Sequence, residues 1–360
     1  MSRDPEQPQR RGSGRRPSAR ERWRAFRGSP FFSAAVLVLI IGLAAGTFAG
    51  SYTYAMGNPA PHSLATAVAA AEPGTRAAAR QQAFIDGLEH ALGTTLDLHR
   101  YRTYEEAREA VDDQRVFAVL RTADGGRALD VEVAGASGAS VAEVLAKAAP
   151  EVGRKIGVPV EVRDVKPLQP GDPRGLVLFY ISLAAVIVGF VGAIQLSVHA
   201  RDLNPGERIA TTAAYALLGG LAITVTVDSL LNAVDLPFAE SWLILALTMF
   251  TSGMVFTMFN AVIGRWAMLP TWGLMVIIGN PSSGGAVSWP LLPSLLGHIG
   301  RWLPPGASVG AQHSAVYFSG HQNVMPYLVL SGWAVLSCTV FWIWRHRHPG
   351  GRPRAGDGTG

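Results

Sequence analysis

Long apolar runs separated by short polar connectors dominate this chain. Residues 31–55, 175–198, 209–232, 241–264 and 326–344 are nearly free of charge. Each run is long enough, as a helix, to cross a hydrocarbon core of about 30 Å. With the shorter run Ala267–Gly279, the pattern predicts about six transmembrane helices: Phe31–Tyr54, Gly175–Val198, Ile209–Asn232, Ser241–Gly264, Ala267–Gly279 and Pro326–Trp344. Between the first and second, residues 72–174 have the mixed polarity of a soluble domain.

Within that insert the periods switch between helix and strand. Arg76–Leu92 and Tyr104–Asp113 have helical spacing, Arg115–Arg121 is an apolar run of strand length, and Ala128–Val133 and Val158–Val165 alternate as half-buried strands do. Ser140–Ile156 reads as a helix with Ser140 as N-cap and Glu143 three residues on, a capping-box pattern, with Pro150 as a point of kinking. Residues 56–71 read as a linker or an extension of the first helix. Pro167, Pro170, Gly171, Asp172 and Pro173 punctuate the return to the membrane.

Asn280–Met325 is too apolar for a free loop and too broken by Gly and Pro for a spanning helix. Non-helical backbone enters a membrane only where protein or water satisfies its polar groups. Two readings stay open: a re-entrant or interfacial hairpin with Trp289–Leu303 as a short amphipathic helix and Pro304, Pro305 and Gly306 as its breaker, or a cap lying on the bundle. Asn280, Pro281, Gly284, Gly285, Pro290 and Pro293 mark the same segment.

Composition and charge add a side to this layout. Charged residues make up 16% of the chain and the formal net charge is +5, against about 25% charged residues in soluble domains. The basic excess sits at the ends, in an Arg-rich stretch from Arg10 to Arg27 and in Arg345, Arg347, Arg352 and Arg354. With the N-terminus inside, the short inner connectors carry Arg201, Arg208 and Arg265, while the outer ones, 233–240 and 280–325, carry only Arg301. Positive residues favour the cytoplasmic side, so both termini are expected in the cytoplasm of a multi-pass plasma-membrane protein. The layout is then a disordered basic tail over 1–29, a first transmembrane helix over 30–55 and an extracytoplasmic α+β domain over 56–174. A membrane domain with five further spans over 175–344, including the irregular 280–325, and a cytoplasmic tail over 345–360 complete it. Cys338 is the only cysteine, which excludes a disulfide framework within one chain. The basic arms lack the aromatic interleaving of a nucleic-acid fold, and the lipid bilayer is the expected partner.

Motifs for chemistry are sparse. The sequence contains no P-loop and no HExxH or SxxK constellation, so no enzyme activity, cofactor or catalytic residue is expected. His298, His313 and His321 share the irregular segment without the helical spacing of a metal site, and no metal is expected. Polar residues within spans are the better candidates, because burying them in lipid is costly. Asp228, Asn260 and Gln195 are therefore candidates for transport or for helix pairing, and the glycines 189, 192, 219, 220, 253 and 264 for close helix packing.

Three stretches carry a family resemblance: YEEAREAVDDQRVFAVLR over 104–121, DVKPLQPGDPRG over 164–175, and NPSSGGAVSWPLLP with LPPG and AVYFSG over 280–320. In these, and in the order of span, large outer domain and five spans, the chain resembles the ABC-2-type permease superfamily, nearest to its phage-infection-protein-like and nitrosoguanidine-resistance-like branch. The resemblance implies a permease-type fold, a homodimer, a separate cytoplasmic ATPase subunit, and export of amphiphilic compounds or cell-envelope material. No ATPase domain is present. The alternative is a non-transporting membrane protein whose outer domain binds or scaffolds envelope partners.

Overall fold

The computed structural model describes residues 18–57, 59–69 and 71–348. The chain divides into two compact units at Gly50–Ser51. In the first, α1 (Ala19–Arg27) precedes α2 (Pro30–Met56), which runs through the boundary. The disorder expected over 1–29 does not hold over Ala19–Arg27. Trp23 and Phe26, three residues apart on one helical face, lie tilted against each other and edge-on to Phe32 with ring centroids 5.7–6.3 Å apart. The rest of that expected tail, residues 1–17, and the tail beyond His348 lie outside the described residues.

The second unit opens with an α+β layer. Its strands are β1 (Leu64–Ala69), β2 (Leu96–Tyr101), β3 (Ala118–Ala123), β4 (Ala128–Val133) and β5 (Val160–Asp164), and its helices α3 (Arg76–Leu92), α4 (Tyr104–Asp112) and α5 (Ala139–Ile156). The sheet order is β2-β1-β3-β4-β5, parallel throughout except for the antiparallel β3–β4 pair. One face packs Leu64, Leu120, Val131 and Val133 against Phe84, Ile85 and Leu88 of α3 and Val141, Leu145 and Val152 of α5. On the other, Ala107, Ala110 and Val111 of α4 cover Ala67 and Val119.

The linker expected over 56–71 is instead the site of β1. With helices on both faces, Leu64, Ala67 and Val68 are all buried, so the alternation that marks a half-exposed strand is missing. The capping box expected at Ser140 does not form either. The N-cap is Gly138, pressed so closely on Ser288 and Phe117 that a Cβ would stand 2.9 Å from the Ser288 hydroxyl. Glu143 instead pairs with Lys147 at 2.6 Å, and α5 continues through Pro150.

The helical bundle comprises α6 (Val177–His199), α7 (Pro205–Thr224, continued as a π-turn over Val225–Leu230), α8 (Phe238–Ile263), α9 (Met268–Trp272, continued as a π-turn over Gly273–Ile278), α10 (Ser294–Ile299), α11 (Pro304–Tyr317) and α12 (Met325–Arg347). Among the described residues, five helices are long and apolar enough to cross a membrane: α2, α6, α7 with its π-turn, α8 and α12. Such helices suit a polytopic membrane protein. The expected span Ala267–Gly279 is represented by Met268–Ile278, which at about 1.5 Å per residue is roughly 16 Å long, half of what a crossing needs.

α8 is the most enclosed of these helices. It reaches that position through small residues on its neighbours. A Cβ at Gly189 of α6 would stand 2.5 Å from the Met249 carbonyl, and one at Gly220 of α7 would stand 2.7 Å from the Ala246 nitrogen. Tyr215 then bridges the helices by donating its hydroxyl to the Gly189 carbonyl at 2.7 Å.

Candidate functional site

The segment between α9 and α12 ties sheet to bundle. Leu291 is 1% exposed and belongs to the core of the sheet, with Val287 beside it. Backbone bonds fix the same stretch: His62 N–H donates to the Pro290 carbonyl at 2.7 Å and Ala60 N–H to that of Leu291 at 3.2 Å. α11 makes the next set of ties. His313 Nδ1 lies 3.2 Å from the Ala136 carbonyl, Gln114 donates to the Ser314 hydroxyl at 2.9 Å, and Lys166 sits over the Phe318 ring. At the entry to α6, the buried Asp172 carboxylate accepts the Leu176 and Val177 N–H groups, each at 2.9 Å. Gln169 and Asp235 exchange two hydrogen bonds beside it.

Trp289–Leu303 does not form the single amphipathic helix expected of it. It breaks into two 3-10 turns, Trp289–Leu291 and Gly300–Trp302, flanking α10, which follows Pro293. Pro304, Pro305 and Gly306, expected to break a helix, form the first turn of α11. Proline suits that position because the first turn has no intrahelical use for its N–H groups. Gly306 allows its backbone to lie on Gly300, which in turn lies on Ser282. Asn280 donates to the Tyr52 hydroxyl at 2.5 Å, Pro281 is buried beside it, Gly284 (φ +81°) packs under the Trp289 indole and Gly285 against Phe179. Residues 287–291 cap the sheet, while α11 descends along the bundle, its start anchored where the Trp302 carbonyl accepts the Trp333 indole N–H, well inside α12.

Against α11, α8 presents a polar stripe. Ser241, Thr248 and Ser252 fall at i, i+7 and i+11, one line on a helix. All three are fully buried. The Thr248 and Ser308 hydroxyls are 2.8 Å apart, and Gln312 donates its amide to the Ser241 carbonyl at 3.1 Å. Among the described residues, the Ser241 and Ser252 hydroxyls and the Gln312 carbonyl oxygen have no hydrogen-bond partner. Small polar side chains close to α11 were not singled out by sequence. Their signal was the i, i+7, i+11 spacing within an otherwise apolar run.

The three polar span residues separate. Asp228 lies in the π-turn after α7, where its carboxylate accepts the Leu236 N–H at 3.0 Å and fastens the loop into α8. Asn260 lines a cavity at the end of the bundle remote from the sheet. Gln195 is exposed on α6, and its carbonyl meets His199 Nδ1 at 3.1 Å. His313 and His321 each have partners in the α+β layer, and among the described residues no group of three or more His, Cys, Asp or Glu side chains could hold a metal ion.

No family model, no curated protein and no solved structure matches the chain.

Proposed function

We propose that the chain is a permease-like subunit of the ABC-2 type, exporting amphiphilic compounds or cell-envelope material with a separate cytoplasmic ATPase, and that the α8–α11 contact is the one that opens. In this reading the sheet lies outside the cell, both termini lie in the cytoplasm, and α9 with its π-turn and α11 serve as two halves of a sixth, discontinuous span, Gly279 meeting Pro305 where they join. Discontinuous helices that place polar groups within a membrane domain are a recurring feature of transporters. The observation that carries the proposal is the unsatisfied stripe. A buried polar group without a partner costs about 1–3 kcal/mol, and the head of an amphiphile entering between α8 and α11 would satisfy Ser241, Ser252 and Gln312.

The test uses inside-out membrane vesicles from cells that make the chain, compared with a deletion strain, supplied with ATP and either NBD-labelled phosphatidylethanolamine or Hoechst dye. Thr248→Cys with Ser308→Cys in a Cys338→Ala background allows a reversible lock. The expected result is chain-dependent uptake of a probe that stops on oxidation and returns with dithiothreitol. Equal uptake in both strains, or uptake through the locked contact, refutes the proposal.

A second reading rests on the sheet. α4 packs on β1, β2 and β3. On the same side of β4, the buried Asp130 and Glu132 hold Arg121 at 2.5 and 3.5 Å, and Glu132 accepts the Tyr104 hydroxyl at 2.7 Å. Burial and that bond raise the Tyr104 phenol above its ordinary value. Beside them on β5, Glu161 and Arg163 are more than half exposed. This organised charged surface suits binding of an envelope partner, and loss of partner co-purification in Arg121→Ala with transport intact would favour it.

A further inference from the structure

At the end of the bundle remote from the sheet, α6 ends, α7 begins and α8 and α12 end around a cavity of about 340 Å3, within the roughly 300–1,000 Å3 of small-ligand sites. Four of its lining side chains are basic or can become so: Arg201, Arg208, Arg345 and His348. Thr257 and Asn260 of α8 add neutral polar groups, and Phe341 and Trp344 form an apolar wall. No carboxylate lines it among the described residues. The two acids nearest in sequence are engaged or directed elsewhere: Glu207 accepts the Asn204 N–H at 2.9 Å in the cap of α7, and Asp202 is exposed outside the lining.

Arg208 is the telling member. It is 8% exposed, and among the described residues its side chain makes one hydrogen bond, from Nη2 to the Ala200 carbonyl at 2.8 Å. It makes no ion pair among the described residues, nor does Arg201. A guanidinium carries five N–H donors in a planar fork matched to phosphate oxygens. Buried charges in folded proteins are paired, because an isolated one is costly. Arg208 is also placed in the first turn of α7, where the helix dipole favours negative charge. His348 stacks on Trp344 with ring centroids 4.6 Å apart, its Nδ1 turned to the Trp344 carbonyl, which leaves Nε2 for a ligand.

We infer that this cavity binds a phosphate-bearing anion, with Arg208 as its principal partner, Arg201 and Arg345 completing the charge, and Phe341 and Trp344 taking the adjoining apolar part. Basic pockets between membrane helices can hold lipid phosphates in this way. The site stands independently of transport.

The test uses the full-length chain in nanodiscs of phosphatidylcholine, of phosphatidylcholine with phosphatidylglycerol, and of phosphatidylcholine with added inorganic phosphate, for the native protein, Arg208→Gln and the exposed-site variant Arg201→Gln. Thermal unfolding and lipid retention in native mass spectrometry are the readouts. Phosphatidylglycerol is expected to raise the native midpoint. Arg208→Gln is expected to abolish that rise and weaken retention roughly 10- to 100-fold, as for a charge-assisted hydrogen bond, with a smaller loss in Arg201→Gln. In phosphatidylcholine alone, Arg208→Gln melts at or above the native protein, because a buried charge without a counter-ion has been removed. A response to inorganic phosphate, lost in Arg208→Gln, also supports the site and assigns a soluble source. The inference is overturned if neither anion shifts the native protein, or if both variants respond as it does. It also fails if Arg208→Gln melts lower in every bilayer with its phosphatidylglycerol response intact, the mark of a purely structural arginine.

Discussion

Replacing Asp172 tests how the sheet is fastened to the bundle. The carboxylate is 4% exposed and accepts two backbone N–H groups of the entry to α6, from Leu176 and Val177, at 2.9 Å each. Its backbone closes the same turn: Gly175 N–H donates to the Asp172 carbonyl at 3.0 Å, and the Asp172 N–H donates to Gln169 at 2.9 Å. Gly175 adopts φ +68°, a left-handed conformation that other residues take at a cost. A hydrogen bond to a charged group contributes about 1.5–3 kcal/mol, and losing a side-chain cap costs about 0.5–2 kcal/mol. Asp172→Ala orphans both N–H groups at once, so the expected cost is about 3 kcal/mol, between one strong bond and two. Asp172→Asn keeps one acceptor oxygen and should fall between alanine and the native residue. Unfolding by SDS titration in mixed micelles measures the cost, and hydrogen exchange at Leu176 and Val177 locates it. An alanine variant within about 0.5 kcal/mol of native, the range of ordinary surface changes, would refute the capping role.

Leu291→Ala should destabilise the α+β layer by about 2–5 kcal/mol, the cost of a buried leucine cavity, although residue 291 lies far in sequence from every strand; a lowered thermal midpoint read by far-ultraviolet circular dichroism checks it. Gly300→Ala should cost about 1–3 kcal/mol by overpacking, since its Cβ would meet the Ser282 backbone, while Gly273→Ala, with nothing within 4 Å, should be silent in the same melts. Asp113 is held below the ordinary carboxylate range, first by its hydrogen bond with His321 and then by Arg115. Because the folded value lies below the unfolded one, this contribution is complete above pH 3.8 and is lost as pH falls through the folded value. Carbon-13 NMR of aspartate-labelled protein should therefore show Asp113 titrating below 3.8 and rising in His321→Ala.

The long apolar helices were legible because a membrane span is a pattern of length and composition, visible without neighbours. α3 was legible because it has one covered and one less covered face, and β4 because apolar Leu129, Val131 and Val133 alternate with charged Asp130 and Glu132, although both of its faces are buried. β1 was not, because Leu64, Thr66, Ala67 and Val68 are buried alike. β2 escaped notice because only six residues, among them the polar Asp97, His99 and Arg100, lie between two helical patterns. Glycine and proline misled where their usual roles depend on position. Pro304 and Pro305 signal a helix stop in the middle of a run and a helix start at its head, and only the tertiary placement of Leu303 decides which applies. Asp228, the most conspicuous residue by charge, proves to fasten a loop. The α8 stripe consists of hydroxyls that single-residue scanning passes over. Arg208 was visible as a topology marker, but its lack of an ion pair among the described residues is a property of the fold alone.

The placement of Leu291 bears on how such a membrane protein could move. Residues 280–303 are held at their middle by Leu291 in the sheet core and near their two ends by the Gly300 backbone lying on Ser282, with Gly306 just beyond lying on Gly300. These contacts leave no room for a side chain, so the stretch cannot slide without losing them. α11 follows immediately and meets the sheet again through His313 and Ser314. If α11 separates from α8, the sheet must either travel with it or surrender Leu291, at a cost of several kcal/mol. Travelling with α11 is the cheaper course. The bonds that would then yield are the polar ones to the other elements, Gln169 with Asp235 and Asp172 with the start of α6. Sheet and α11 are therefore coupled as one mechanical body, and a ligand gripping the sheet would act on the α8–α11 contact through Leu291 and the backbone of 280–303 together with the His313 and Ser314 ties.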